Sequence, residues 1–213
     1  MTGDTDHTEQ LPEQPADQRA GQRIETPGQG VTEKVLLDAE QVRRTLARIA
    51  HEVAENSPDV SSLALVGIQR RGVDLAERLA DLLREFYGSR PVTGAIDITF
   101  YRDDMDARGA VPIYRHPVVH STSLPFDVQD RTIVLVDDVL YTGRTIRAAI
   151  DALFDYGRPC AVRLAVLIDR GHRDLPIRPD FVGKNVPTSR HEHIAVRLVE
   201  LDGVDEVVLE RME

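Results

Sequence analysis

The segment Val134-Leu135-Val136-Asp137-Asp138-Val139-Leu140-Tyr141-Thr142-Gly143-Arg144-Thr145 carries an apolar run into two adjacent carboxylates, then into a hydroxyl-bearing glycine turn that opens a helix. Each part has a chemical use. Adjacent acids at the end of a strand accept hydrogen bonds from two neighbouring ribose hydroxyls, and backbone N–H groups with hydroxyls at a helix N-terminus cradle a phosphate dianion. One segment would then hold a sugar phosphate at both ends. The alternative is structural: Asp137 and Asp138 cap the turn and helix that follow.

The elements that must position this segment follow from hydrophobic periodicity. From Met1 to about Gly30 the chain has almost no large apolar side chain and reads as a disordered tail, because ordering it would bury too little to offset its entropy. Asp38 and Gln41 form a capping box before a helix whose apolar face is Val42, Leu46, Ile49, Ala50 and Val53, closed by Pro58. Ser62 to Ile68 predicts a buried strand, and Leu75, Leu79, Leu82 and Phe86 a second amphipathic helix. Ile96, Ile98 and Phe100 alternate with polar residues as a half-buried strand does. The stretch from Tyr101 to Asp130 is long, polar and broken by prolines, the signature of a functional loop such as a lid. Thr132 to Val136 and Ala161 to Ile168 are further apolar strands around a helix from Ile146 to Leu153. Alternating strands and helices predict an α/β fold, a mostly parallel sheet flanked by helices, with ligands at the carboxyl ends of the strands.

Composition narrows the classes. The chain has 213 residues, 41% of them apolar, enough for one domain, expected over residues 31–213. A formal charge of -10 argues against a surface built throughout for nucleic acid or anionic lipid, although arginines cluster at Arg43-Arg44, at Arg70-Arg71 and from Arg170 to Lys184, where phosphate is the natural partner. One cysteine, Cys160, allows no internal disulfide, and no run is long and apolar enough to cross a bilayer or act as a signal peptide. A cytoplasmic protein without membrane contact is expected.

An acid pair followed by three residues and Thr-Gly closely resembles the motif with which type I phosphoribosyltransferases bind PRPP (5-phosphoribosyl 1-diphosphate). Val66-Gly67-Ile68-Gln69-Arg70-Arg71-Gly72, Asp97-Ile98-Thr99-Phe100-Tyr101-Arg102-Asp103-Asp104 and Asp169-Arg170-Gly171-His172-Arg173-Asp174-Leu175-Pro176-Ile177-Arg178 narrow the resemblance. They are similar to the branch of pyrimidine-operon regulators that are also uracil phosphoribosyltransferases, over nearly everything from about Val35 to the C-terminus. The resemblance implies the type I fold with a small hood and a long flexible loop, and the conversion of uracil and PRPP to UMP and diphosphate. It makes Asp137 and Asp138, with Arg102, catalytic, the two acids holding the ribose 2- and 3-hydroxyls. Val139, Leu140, Tyr141, Thr142, Gly143, Arg144 and Thr145 complete the PRPP and UMP site, with the 5-phosphate on Tyr141 to Thr145.

Gln69-Arg70-Arg71-Gly72 matches the family's diphosphate loop, and two guanidinium groups with exposed N–H donors suit a polyanionic leaving group. Arg70 stands where the family often has Thr, which adds positive charge. The alternative for this turn is a solvated basic surface. Tyr101, Arg102, Asp103 and Asp104 head the loop that shields the reaction in the family; water entering during an oxocarbenium-like transition state would waste PRPP. Arg170 and Val182 are implied at the nucleobase, Val182 within an Asp180-Phe181-Val182-Gly183-Lys184 hood; Phe181 and Val182 also suit a plain core role. Mg2+ is the implied cofactor, held mainly by PRPP, with Asp169 reaching it through water. Purine-specific relatives carry a carboxylate just before Thr-Gly, and Tyr141 there favours a pyrimidine. RNA binding, to a pyrimidine-operon mRNA leader, is implied at Arg48, His172, Arg178 and Lys184 on a face formed by a homodimer or higher homo-oligomer. Two other readings share the sequence: an RNA-binding nucleotide sensor with little catalysis, and a hypoxanthine or guanine phosphoribosyltransferase.

Overall fold

The computed structural model describes residues 31–57, 59–99 and 121–212; the expected tail and the lid residues Tyr101, Arg102, Asp103 and Asp104 lie outside them, as do Pro58 and Phe100. Five parallel strands form the main sheet in the order β3-β2-β4-β5-β6, with β2 at Leu63–Ile68, β3 at Val92–Ile96, β4 at Thr132–Leu140, β5 at Ala161–Asp169 and β6 at Phe181–Asn185. Helix α1 spans Ala39–Glu55, α2 Arg71–Tyr87 and α3 Arg144–Phe154. The expected α/β architecture is the one observed.

Period-two alternation distributes the sheet's side chains between two cores. Leu63 and Leu65 of β2 and Val134 and Val136 of β4 pack with the apolar faces of α1 and α2, whereas Ala64, Val66, Ile133 and Leu135 pack with α3. Both faces are therefore covered, which is why β2 is apolar at every position. The capping box forms as expected: the Gln41 backbone N–H donates to Asp38 Oδ1 at 2.8 Å and the Asp38 N–H donates to Gln41 Oε1 at 3.0 Å.

Three differences from the sequence reading bear on the site. The strand expected through Phe100 ends at Ile96; Ile98 is buried, but Asp97 Oδ1 takes the Thr99 N–H at 2.8 Å and turns the chain. Side-chain bonding of this kind competes with the ladder. The segment Asp180 to Lys184, expected as a hood, runs into β6 (Phe181–Asn185), the outermost strand of the main sheet, paired with β5. A separate antiparallel sheet is instead built from β1 (Val31–Leu37), β7 (Glu192–Arg197) and β8 (Glu206–Met212), and Ile194, Val196 and Val207 join the α1–α2 core. Between β7 and β8 lies the short helix α4 (Val199–Asp202). Arg78 of α2 donates to Glu200 at 2.8 and 2.5 Å and to Asp205 at 3.0 and 2.7 Å, fastening this turn to α2.

Candidate active site

The two acids lie inside β4, the central strand, rather than at its end. Val136 and Val139 both pack on the α1–α2 side, so the strand's alternation slips by one residue across Asp137 and Asp138. The slip coincides with two local bonds: the Asp138 N–H donates to Asp137 Oδ1 at 3.0 Å and the Val139 N–H to Asp138 Oδ1 at 2.8 Å. Asp137 is buried and Asp138 half-buried. Burial, then the Asp138 carboxylate beside it, pushes the Asp137 carboxyl well above the ordinary 3.8. Burial also raises Asp138, opposed by the Val139 N–H and by the positive charge of Arg71. Among the described residues neither carboxylate forms an ion pair, and two acids held this way favour hydroxyl donors. The capping alternative fails, because among the described residues neither side chain accepts an amide of the Thr142-Gly143 turn or of α3; the amides that donate to them are those of Asp138 and Val139.

Val139 and Leu140, expected in the phosphate site, are strand residues whose side chains face the two cores. The turn comes after them. Gly143 is the N-cap of α3 with φ 92°, a conformation that favours glycine, and a Cβ there would lie 3.4 Å from both Leu175 and Ile177. Among the described residues no side chain caps α3, and a long 3.4 Å contact joins the Arg144 N–H to Thr142 Oγ1. A helix N-terminus left in this state offers its first N–H groups to an anion. The turn is fixed from behind: the Asp174 and Leu175 N–H groups donate to the Thr142 carbonyl at 3.0 and 3.1 Å, and Arg144 Nε reaches Asp174 at 3.4 Å. Thr145 is half-buried on the first turn of α3.

The Gln69-Arg70-Arg71-Gly72 turn leads into α2 beside the acids. Gly72 packs against β4, where a Cβ would fall 2.3 Å from the Val136 carbonyl oxygen. The Gln69–Arg70 peptide is cis, and the Gln69 N–H donates to the Ile96 carbonyl at 3.0 Å. Arg70 is exposed; Arg71 is half-buried and its Nη2 reaches Asp202 at 3.0 and 3.2 Å.

On the other side of β4, the Arg170 N–H donates to the Leu140 carbonyl at 3.1 Å and the Arg170 guanidinium lies 4.2 Å from the Tyr141 ring centroid. Arg170 is buried, with Nε on Thr188 Oγ1 at 3.1 Å and Nη2 on the Ser189 and Glu192 carbonyls at 3.2 and 2.6 Å. Asp169 has both oxygens engaged, one by the Gly171 N–H at 2.9 Å and the other by Arg173 Nη2 at 2.5 Å. Arg173, given no role from sequence, also donates to the Tyr141 carbonyl at 2.8 Å and so ties Asp169 to the phosphate turn. Its signal was the four-residue spacing from Asp169. A cavity of about 540 Å³ opens here, its wall including Arg170, His172, Arg178, Val182 and Asn185.

The four residues expected to meet RNA are all exposed but divide in two. His172 and Arg178 line the cavity, with His172 edge-on to Tyr141 at a centroid distance of 6.1 Å. Arg48 donates to the Val182 carbonyl at 2.9 Å and to the Gly183 carbonyl, and Lys184 Nζ donates to the Leu36 carbonyl at 3.2 Å. These two fasten β6 to α1 and β1.

The model of the phosphoribosyl transferase domain matches residues 34–200. A bifunctional protein PyrR of Roseiflexus sp. (strain RS-1) is 61% identical over 180 residues, covering 84% of this chain and 96% of that one. PyrR proteins of Chloroflexus aurantiacus and Clostridioides difficile are 57% and 53% identical, each over 96% of the relative and 84% and 82% of this chain. Among solved structures, a Trypanosoma cruzi hypoxanthine phosphoribosyltransferase shares the fold with a TM-score of 0.62 at 18% identity, over 84% of this chain and 97% of that one. The chain belongs to the phosphoribosyltransferase family and, within it, to the bifunctional PyrR proteins.

Proposed function

We propose that this chain transfers the 5-phosphoribosyl group of PRPP to uracil, giving UMP and diphosphate, and that it binds a pyrimidine-operon mRNA leader in a UMP-dependent manner. The observation that carries the reading is the succession along one segment of an acid pair, Asp137 buried and Asp138 half-buried, that forms no ion pair among the described residues, and a helix start without a side-chain cap. The acids accept the ribose 2- and 3-hydroxyls, and their negative charge faces the ribosyl centre as it becomes positive in the transition state. Tyr141 to Thr145 hold the 5-phosphate, and Arg70 and Arg71 receive the diphosphate. Arg102 and its neighbours in the lid, expected to exclude water, lie outside the described residues.

Magnesium fits this donor set as an ion brought with PRPP. Among the described residues no group of three or more acidic, histidine or cysteine side chains could hold a metal, and both Asp169 oxygens are already engaged, which leaves Asp169 a contact through water. When bound, Mg2+ neutralises charge on the departing diphosphate.

Uracil is favoured because Tyr141, flanked by the Arg170 guanidinium and the His172 ring, occupies the place of the purine-selective carboxylate. The exposed His172 and Arg178 on the cavity wall support a nucleotide-sensitive RNA contact, and the exposed Phe86, Tyr87, Phe154 and Tyr156 support a homo-oligomer that covers apolar surface. Cys160 is free and exposed, in keeping with a reducing cytoplasm, and no described helix is long and apolar enough to cross a membrane.

The test is competition. With PRPP and Mg2+ and equal uracil, hypoxanthine and guanine, UMP is expected to exceed IMP and GMP by at least about a hundredfold, the scale that polar base recognition supplies. Predominant IMP or GMP would transfer the assignment to purines. Leader RNA retained equally with and without UMP would remove the regulatory half, since an effector must bind the two states differently.

A further inference from the structure

The side chain of Arg71 is held in an unusual way. Nη2 contacts both oxygens of Asp202, and among the described residues neither Nε, which is sealed from solvent, nor Nη1, which is not, has a hydrogen-bond partner. The site acid Asp138 feels the charge of Arg71 but forms no ion pair with it. Asp202 is 131 residues away in sequence and sits at the end of α4, in the connection between β7 and β8.

That carboxylate is itself fixed. Its Oδ2 accepts the Leu198 N–H at 2.9 Å, and Leu198 is fully buried in the α1–α2 core. Seven residues along α2, on the same helical face, Arg78 takes Glu200 and Asp205, and Asp205 also accepts the Val199 N–H at 2.9 Å. The α4 turn thus grips α2 at its first residue and again two turns later. An arginine without this grip is drawn to the other acids that feel its charge, Asp74 on α2 and Asp138 in the site, and a guanidinium on Asp138 would occupy the acceptor that the ribose needs.

We propose that Asp202 is a positioning residue for Arg71: it anchors the guanidinium through Nη2, keeps it off Asp138, and leaves Nη1 for the diphosphate of PRPP. The inference rests on the reading of Gln69 to Gly72 as the diphosphate loop. It assigns the turn between the last two strands, remote in sequence from every motif of the site, to substrate binding.

Asp202→Asn retains an oxygen for the Leu198 N–H and removes the charge that holds Arg71. Titration calorimetry on the full chain, with PRPP, inorganic diphosphate and UMP as separate ligands, is expected to show PRPP and diphosphate weakened about tenfold in the variant. UMP, which carries the ribose that Asp138 receives but no diphosphate, should lose clearly less. In an Arg71→Met background the same substitution should add nothing. Unchanged PRPP and diphosphate affinities, an equal loss for UMP, or a full further loss in the Arg71→Met background would each overturn the positioning role. Arg71→Met that itself binds PRPP normally would overturn the diphosphate-loop reading, and the positioning role with it. A thermal melt checks folding, and Asp202→Ser, which also keeps an acceptor without the charge, replaces an Asn variant that fails to fold.

Discussion

Asp137→Asn is expected to lower kcat/KM for UMP formation by about 10²–10³-fold, the scale of one misplaced electrostatic group facing the reacting centre, while making the protein harder to melt. The two effects share a cause. Asp137 is buried beside a second carboxylate, so its folded form holds its proton to higher pH than the unfolded chain, whose Asp titrates near 3.8. Between those two pKa values the folded state binds more protons, and its stability falls as pH rises. The amide keeps an oxygen for the Asp138 N–H and removes the charge. Below the unfolded value the variant has no advantage from this source; the advantage grows as pH rises through the folded pKa and is then complete. A gain of ~1–2 kcal/mol is expected near neutrality, or about 2–8 °C in Tm for a chain of this size. Melting curves of both proteins from pH 4 to 8, beside initial rates, check it. A variant that melts lower at all pH values would show that the acid pair stabilises the fold.

Gly72→Ala is expected to lose ~3 kcal/mol of stability, roughly 6–12 °C in Tm, and more than tenfold in affinity for PRPP. The added Cβ would lie 2.3 Å from the Val136 carbonyl oxygen, and that atom belongs to the central strand immediately before Asp137. Neither neighbour is a flexible side-chain tip. Relief requires the first turn of α2 to move off β4, which carries Arg71 away from the acids. Calorimetric unfolding and PRPP titration of the variant measure both losses, and a Tm within 2 °C of the parent would show that the Gly72 contact is looser than its geometry indicates.

Local chemistry was readable where a few adjacent residues decide the outcome. The Asp38–Gln41 capping box, the apolar stripe of α1 and the Thr142-Gly143 turn into α3 each formed at the expected residues, whereas the acid pair, expected at a strand end, lies inside β4. The reading weakened where side chains redirect the backbone: the alternation through Ile98 looks like a strand, but Asp97 bonds Thr99 and ends it. The slip that lets Val136 and Val139 face one core leaves no mark in a pattern that only counts apolar positions. It was blind to partners far apart in the chain. The small sheet pairs Val31 with Met212, Arg170 is locked by Thr188, Ser189 and Glu192, and Arg71 meets Asp202; none of these pairings has a local signature. Arg48 and Lys184, expected at RNA from resemblance, also carry backbone contacts that residue type could not disclose.

The most direct test is uracil-dependent release of diphosphate from PRPP in the presence of Mg2+, followed with UMP formation in the same reaction. The proposed chemistry predicts equal amounts of the two products, almost none without uracil, and loss of both in Asp137→Asn. Binding of PRPP and UMP with no diphosphate released for any base would contradict it and leave a nucleotide-sensing regulator.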